Sequence, residues 1–324
     1  MVVDRFGRRL GKLRISLTDR CNMKCLYCMP ENPVWKKRGE ILTLEEIFNI
    51  AKIFVSSFNV KEIRLTGGEP LLRSGITILV EWLNSLKSSG LKRLSLTTNG
   101  LLLKHYIYDL KEAGLDDLNV SVDSLEPLTF YRITKGGQIK DVMDGIQEAK
   151  KTGLRIKINT VLIKGINDSE IENLLEWAIN EKSEIRFIEF MPVYGVNWWS
   201  KEKVVSYNEI LETISKRHKI QIIENSREEP AKKFLIDDKF QCGIIATITN
   251  PFCKFCNRIR LTADGKIVSC LFANSGYDIR KFIKAGEIEN IEKTIKIAWE
   301  NKPEGFIALK GRIYNTVPMY ALGG

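Results

Sequence analysis

Seven cysteines stand in this chain, and six of them fall into two groups of three. Cys21, Cys25 and Cys28 are spaced C-x3-C-x2-C, while Cys253, Cys256 and Cys270 are spaced C-x2-C-x13-C. Three thiolates at such spacings can wrap one iron–sulfur cube and leave its fourth iron open to a small chelating molecule. A structural zinc site wants four ligands instead. The two histidines, His105 and His218, lie far from the first group in sequence, whereas Cys242 offers the second group a fourth thiolate. A lone cysteine in a strand-like run such as 241–246 is more often a small buried hydrophobe, which favours three ligands. Within the second group, Arg258 and Arg260 alternate, so in a strand both guanidinium groups point the same way and form a fork pair suited to phosphate. Two ordinary surface arginines are the alternative. Gly67-Gly68-Glu69-Pro70 reads as a turn whose glycines expose backbone groups and whose carboxylate can accept an ammonium.

These groups need a scaffold. Short β-rich runs at 12–17, 62–65, 93–97, 117–122, 155–161 and 184–190 are each followed by a helix-like segment, with amphipathic stretches at 44–55, 76–87, 140–152 and 169–180. Thr43 with Glu46 makes a capping box, Gly90 follows the second helix and Gly153 closes the fourth. Six β/α units predict a parallel sheet with right-handed crossovers, short of the eight that close a full barrel. The expected fold is therefore α/β: an incomplete (β/α)6 TIM-like barrel over residues 1–210, then a smaller α+β domain over 211–324 carrying the second cysteine group. There the pattern predicts helices near 208–219, 279–284 and 289–301 and strands around 221–224, 233–236 and 242–248. The first cysteine group and the Gly-Gly-Glu-Pro turn both follow strands, at the end where such barrels place their chemistry.

Composition sets outer bounds. The chain has 324 residues, 44% of them hydrophobic, and a mean hydropathy of −0.14, which describes a soluble protein with a full-sized core. It holds no apolar run of the ~18 residues a membrane helix needs, and its N-terminus lacks a signal-peptide segment, so a cytoplasmic location is expected and structural disulfides are not. The formal charge of +10 suits a polyanionic partner or a solvated lysine-rich surface. With no basic run of five or more and no aromatic interleaving, neither nucleic acid nor a membrane is the expected partner.

The first array resembles the signature of the radical S-adenosylmethionine (SAM) superfamily, in which SAM chelates the open iron and is cleaved to a 5′-deoxyadenosyl radical. That resemblance implies SAM contacts at Tyr27, Gly68, Ser121 and Met191. Together with the segment Cys256-Asn257-Arg258-Ile259-Arg260-Leu261-Thr262-Ala263-Asp264-Gly265, the chain closely resembles the GTP 3′,8-cyclase family of molybdenum cofactor biosynthesis. The likeness runs nearly end to end, through Leu13–Asn22, Ile63–Pro70, Thr97–Gly100, Asn119–Ser124, Lys157–Val161, Arg186–Met191 and the final Gly323-Gly324. It implies two [4Fe-4S] clusters, one on each cysteine group, and GTP held by Arg14, Arg64, Thr97, Lys157, Arg258 and Arg260. It further implies hydrogen abstraction at C3′ of GTP, ring closure onto guanine C8, a second cluster that binds the base, and a double-glycine tail that enters the site. The partners implied are a ferredoxin or flavodoxin as electron donor, cyclic pyranopterin monophosphate synthase downstream, and a second copy in a homodimer. The alternatives are another radical SAM enzyme with an auxiliary cluster, such as a peptide maturase, and a zinc-containing nucleic-acid binder.

Overall fold

The computed structural model describes all residues except 1, 225–227, 274, 307–316 and 324. Six strands, β1 (Lys12–Ser16), β2 (Glu62–Thr66), β3 (Arg93–Thr98), β4 (Asp117–Ser121), β5 (Arg155–Leu162) and β6 (Glu184–Glu189), pair in sequence order and all run parallel. Helices α1 (Leu44–Ser56), α2 (Ile76–Ser85), α3 (Leu103–Glu112), α4 (Pro127–Thr134), α5 (Ile139–Lys151) and α6 (Ile171–Asn180) fill the crossovers. The capping box opens α1, with Thr43 Oγ1 accepting from Glu46 N at 3.1 Å and Glu46 Oε2 accepting from Thr43 N at 2.7 Å.

Each strand alternates with period two. Leu13, Ile15, Ile63, Leu65, Leu94, Leu96, Leu118, Val120, Ile158, Ile185 and Phe187 are fully buried in the main hydrophobic core. The intervening positions are polar: Arg14, Arg64, Ser95, Asn119, Lys157, Asn159 and Arg186. Six strands therefore give an incomplete barrel whose inner face is built for polar ligands.

Among the described residues the C-terminal part does not form a sheet of its own. After α7 (Tyr207–Ser215) come β7 (Ile220–Ile223), β8 (Lys232–Ile236) and β9 (Phe240–Ile245), and β9 lies parallel on the edge of β6. Then β10 (Arg258–Leu261) lies parallel on the other edge, against β1, and continues antiparallel into β11 (Lys266–Val268) and β12 (Tyr277–Asp278). Among the described residues the result is one twelve-stranded sheet. Both edges of the barrel are capped, which satisfies backbone groups that an open edge leaves unpaired. Helices α8 (Arg280–Ala285), α9 (Ile288–Glu300) and α10 (Met319–Leu322) complete the chain. The strand expected over 242–248 starts earlier and stops at Ile245, and the helix expected over 208–219 stops at Ser215. Among the described residues no helix is long and apolar enough to cross a membrane.

Candidate active site

The loop after β1 carries the first cysteine group, and five hydrogen bonds from three directions fix its path. On one side it stacks on the turn after β2: Gly68 N–H donates to Thr18 O and Glu69 N–H to Arg20 O, both at 2.7 Å. A Cβ at Gly68 would stand 2.2 Å from the Arg20 carbonyl oxygen, so only glycine admits this approach. Elsewhere the end of α4 accepts from the loop, Lys24 N–H on Thr134 O (2.8 Å) and Leu26 N–H on Ile133 O (2.9 Å). Finally, Trp198 Nε1 donates to Leu26 O at 3.1 Å.

Burial pushes the Cys21 thiol up to about 11. Burial raises Cys25 as well, followed by Asp123 and then by the other two thiols, and burial and Cys21 together raise Cys28. Three crowded, desolvated thiols of this kind suit a cationic metal group that would deprotonate them. Among the described residues no three His, Cys, Asp or Glu side chains close on a point for a single metal ion. An iron–sulfur cube differs in that each thiolate binds its own iron.

Around this loop Tyr27 donates to Asp123 Oδ2 at 2.8 Å and packs, with Met191, Met319 and Trp198, on the apolar cluster of Phe190 and Val193. Glu69 sits elsewhere than its motif suggested. It is fully buried, absent from the cavity wall, and its oxygens accept from Leu71 N (3.0 Å), Thr98 Oγ1 (2.7 Å) and Asn99 N (2.7 Å). Its carboxylate holds the protein together and is not open to an ammonium.

The second group lies on the segments flanking β10. Cys253, Cys256 and Cys270 line the same cavity as Cys21, Cys25 and Cys28. Burial by itself would raise the Cys256 thiol, but the charges of Lys302 and Arg258 override it and bring it down to about 5. Arg258 Nη2 lies 3.6 Å from Cys256 Sγ, its guanidinium stacks 4.7 Å over the Phe252 ring, and its Nε is buried without a partner. Cys242 is buried in the main core on β9, where burial lifts it to about 12, and it is absent from the cavity wall.

Strand register then assembles the cations. Arg14 on β1 stands beside Arg64 on β2 and beside Arg260 on β10, about 4.8 Å from strand to strand. Burial, then Arg260, Arg258 and Arg64, hold the Arg14 guanidinium well below its usual value. Burial and like-charged neighbours bring Arg64 and Arg260 to about 10. Such crowding of buried positive charge suits a polyanionic ligand. The shared cavity spans about 1830 Å³ counting the open solvent at its mouth, with both cysteine groups and the arginines on its wall.

Tyr27, Gly68, Thr97, Ser121, Met191, Arg14, Arg64, Arg258 and Arg260 all line this cavity. Lys157 does not. It lines a smaller adjoining chamber that shares Arg14, Arg64, Arg186 and Arg258, and it pairs there with Asp117 at 3.4 Å. Arg260 Nη1 donates to the Gly323 carbonyl, so the described end of the tail reaches the barrel, where a Cβ on Gly323 would collide with Thr66. Gly324 lies outside the described residues. Sequence reasoning passed over Arg186 and Asn159, which also line the cavity, the latter with an unpartnered buried Oδ1. The signal was present, since both occupy the same inward phase of their strands as Arg14 and Arg64.

A family model for the radical SAM superfamily matches residues 15–178, and one described as Molybdenum Cofactor Synthesis C matches 183–307. The GTP 3′,8-cyclase of Thermodesulfovibrio yellowstonii is 43% identical over 99% of both chains. That of Streptomyces coelicolor is 40% identical over 100% of this chain and 96% of its own, and that of Aquifex aeolicus 39% identical over 100% of both. The fold is shared with Streptococcus suis SuiB bound to S-adenosylmethionine (TM-score 0.65, 15% identity, 91% of this chain, 66% of that one). It is shared also with native anSMEcpe with bound AdoMet (TM-score 0.63, 17% identity, 96% of this chain and 93% of that one). The cavity, its two cysteine groups and these full-length relatives agree: the chain belongs to the GTP 3′,8-cyclase family of radical SAM enzymes.

Proposed function

We propose that this protein joins C3′ of the GTP ribose to guanine C8, giving (8S)-3′,8-cyclo-7,8-dihydroguanosine 5′-triphosphate, the first step of molybdenum cofactor biosynthesis. The observation that carries this reading is the in-register row Arg260–Arg14–Arg64 in a cavity lined by both cysteine groups. A triphosphate brings about four negative charges, and charge-assisted fork contacts are what guanidinium groups offer it.

Residues 1–210 form the SAM half in this scheme and residues 211–324 the auxiliary half. Cys21, Cys25 and Cys28 would hold the first cluster, which together with SAM supplies the radical that removes the C3′ hydrogen. Gly68 lets the backbone approach SAM, Ser121 offers it a hydroxyl, and Tyr27 and Met191 present an apolar wall to its adenine. Arg14, Arg64, Arg258 and Arg260, with Thr97, Lys157 and Arg186, orient GTP, and fixing C3′ next to C8 converts ring closure into a proximity-driven step. Cys253, Cys256 and Cys270 would hold the second cluster, whose open iron offers the base a coordination site. A hydrogen atom leaves C3′, the C3′–C8 bond forms, and one electron and one proton restore a closed shell, so the product is an isomer of GTP. A ferredoxin or flavodoxin as electron source, cyclic pyranopterin monophosphate synthase as the next enzyme, and a homodimer complete the proposal.

Anaerobic incubation with SAM, reductant and GTP, followed by chromatography and mass spectrometry, should yield 5′-deoxyadenosine together with a new species of GTP mass. Replacing Cys253, Cys256 and Cys270 by alanine should lower iron from about eight to about four per chain, keep SAM cleavage and abolish the new species. Cyclised product from that triple variant would overturn the role of the second group. A peptide maturase would leave GTP unchanged.

A further inference from the structure

Two buried cations, Arg8 and Lys302, are bonded to the backbone that carries the second cysteine group. Lys302 is 1% exposed. Its ammonium donates to Arg258 O at 2.7 Å and to Ser269 O. Arg258 is two residues past Cys256, and Ser269 directly precedes Cys270, so one ammonium ties both cysteine segments together. Arg8 does the equivalent for the third. Its Nη1 donates to Cys253 O (3.1 Å) and Glu304 O (2.9 Å), and its Nη2 to Pro303 O (2.8 Å) and Lys302 O (3.3 Å). The segment so pinned lies against the thiol, since a Cβ on Gly305 would stand 2.2 Å from Cys253 Cβ and 2.9 Å from its Sγ.

The two cations differ in how their charge is met. Arg8 pairs with buried Asp4 at 2.6 Å. Lys302 has two carbonyls, one directly before Cys270 and one two residues past Cys256, and the Trp299 ring at 4.8 Å; burial lowers its pKa, with the Cys256 and Cys270 thiols acting the other way. A buried ammonium is costly without an anion nearby, and deprotonated cysteines bound to a cluster supply that anion. Net charge and hydrogen bonding around the sulfurs set how tightly such a cluster holds its electrons.

We infer that Lys302 is a positioning residue of the second cluster, joining the Cys256 and Cys270 segments and compensating their thiolates, with Arg8 holding Cys253 and the Lys302 backbone in place. This rests on the two-cluster reading above. It assigns a function to two residues that do not line the shared cavity.

The test uses the full chain reconstituted anaerobically. In Lys302→Met, iron of the second group should escape to excess chelator at least tenfold faster. The reduced-to-oxidised ratio of that cluster at fixed potential should fall about tenfold, which is 59 mV for one electron. First-group iron and SAM binding should stay at wild-type values. Arg8→Lys keeps the charge but loses the fan of bonds, and should speed iron release without shifting the potential. Should Lys302→Met fail to fold, Lys302→Gln, neutral but still a donor, makes the same comparison. Wild-type release rate and potential in the neutral Lys302 variant would overturn the inference. A wild-type chain holding about four irons rather than about eight would instead overturn the two-cluster reading beneath it.

Discussion

Replacing Arg64 by methionine removes one charge from the arginine row while keeping most of the side-chain volume. Burial, then the neighbouring Arg186, bring this guanidinium from the usual 12.5 to about 10. A difference of that size means that holding the charge among these neighbours costs on the order of 3 kcal/mol. The substitution also removes the bond from Arg64 Nε to Ser95 Oγ, 3.1 Å long, whose loss costs about 1 kcal/mol. Ser95 retains its bond to Ile63 O at 3.4 Å. The iron-free, ligand-free variant should therefore gain on the order of 2 kcal/mol, seen as a melting temperature a few degrees higher by circular dichroism. GTP should lose a hydrogen bond to a charged group, about 1.5–3 kcal/mol, or roughly 10- to 150-fold in Kd by anaerobic calorimetry. The two changes have opposite signs, which a merely structural arginine would not produce. A lower melting temperature, or an unchanged affinity for GTP, would refute the idea that this charge is stored for the substrate.

Two further outcomes follow from the turn after β2. Gly68→Ala pushes a methyl group to 2.2 Å from the Arg20 carbonyl, and overpacking of this kind costs about 1–3 kcal/mol. Because the displaced backbone leads into Cys21, SAM affinity should fall roughly 5- to 150-fold while GTP affinity holds; unchanged SAM binding would show the stacked loop to be unnecessary. Burial raises the Glu69 carboxyl from 4.5 to about 7, outweighing the donors that Asn99, Thr98 and Leu71 give it. With the folded value above the unfolded one, stability is full below about pH 4.5 and is lost as pH rises to about 7, on the order of 3 kcal/mol in all. In the iron-free protein Glu69→Gln should be less stable overall, its amide facing the Asn99 N–H, yet should lose that pH slope between pH 5 and 8 in urea midpoints. An identical slope in both proteins would assign the titration elsewhere.

How much of this was legible beforehand depended on whether the signal was local. The six parallel strands were, because each alternates inward polar and outward apolar residues and is followed by an amphipathic helix, with capping boxes at the start of α1 and α7. The positions of β10, β11 and β12 were not. Arg258–Leu261 is four residues long and half charged, and nothing in it says that it pairs with β1 rather than with its own neighbours. The partner is chosen by an exposed edge almost 250 residues earlier. Glu69 was misread for a related reason, since its motif suggests a ligand while Thr98 and Asn99, on another strand's end, claim its oxygens. Lys302, followed by proline in a loop, carries no local mark at all; only its burial and its bonds to Arg258 and Ser269 reveal it.

That edge pairing also explains how a protein can keep so much positive charge inside. Because β10 joins β1 in parallel register, the Arg260–Arg14–Arg64 row crosses from the C-terminal part into the barrel without a gap. The residues between those arginines, Ile259, Leu261, Leu13, Ile15, Ile63 and Leu65, are all fully buried against the outer layer. Each contributes roughly 1.5–3 kcal/mol, so the pair on β2 offsets the cost of order 3 kcal/mol attached to Arg64. The same period-two alternation thus buries the greasy face and holds the charged one rigid. A variant that spares the arginines but thins the layer behind them, such as Leu65→Ala, should therefore cost about 2–5 kcal/mol of stability in urea unfolding, and an unchanged midpoint would show that this layer does not offset the buried charge.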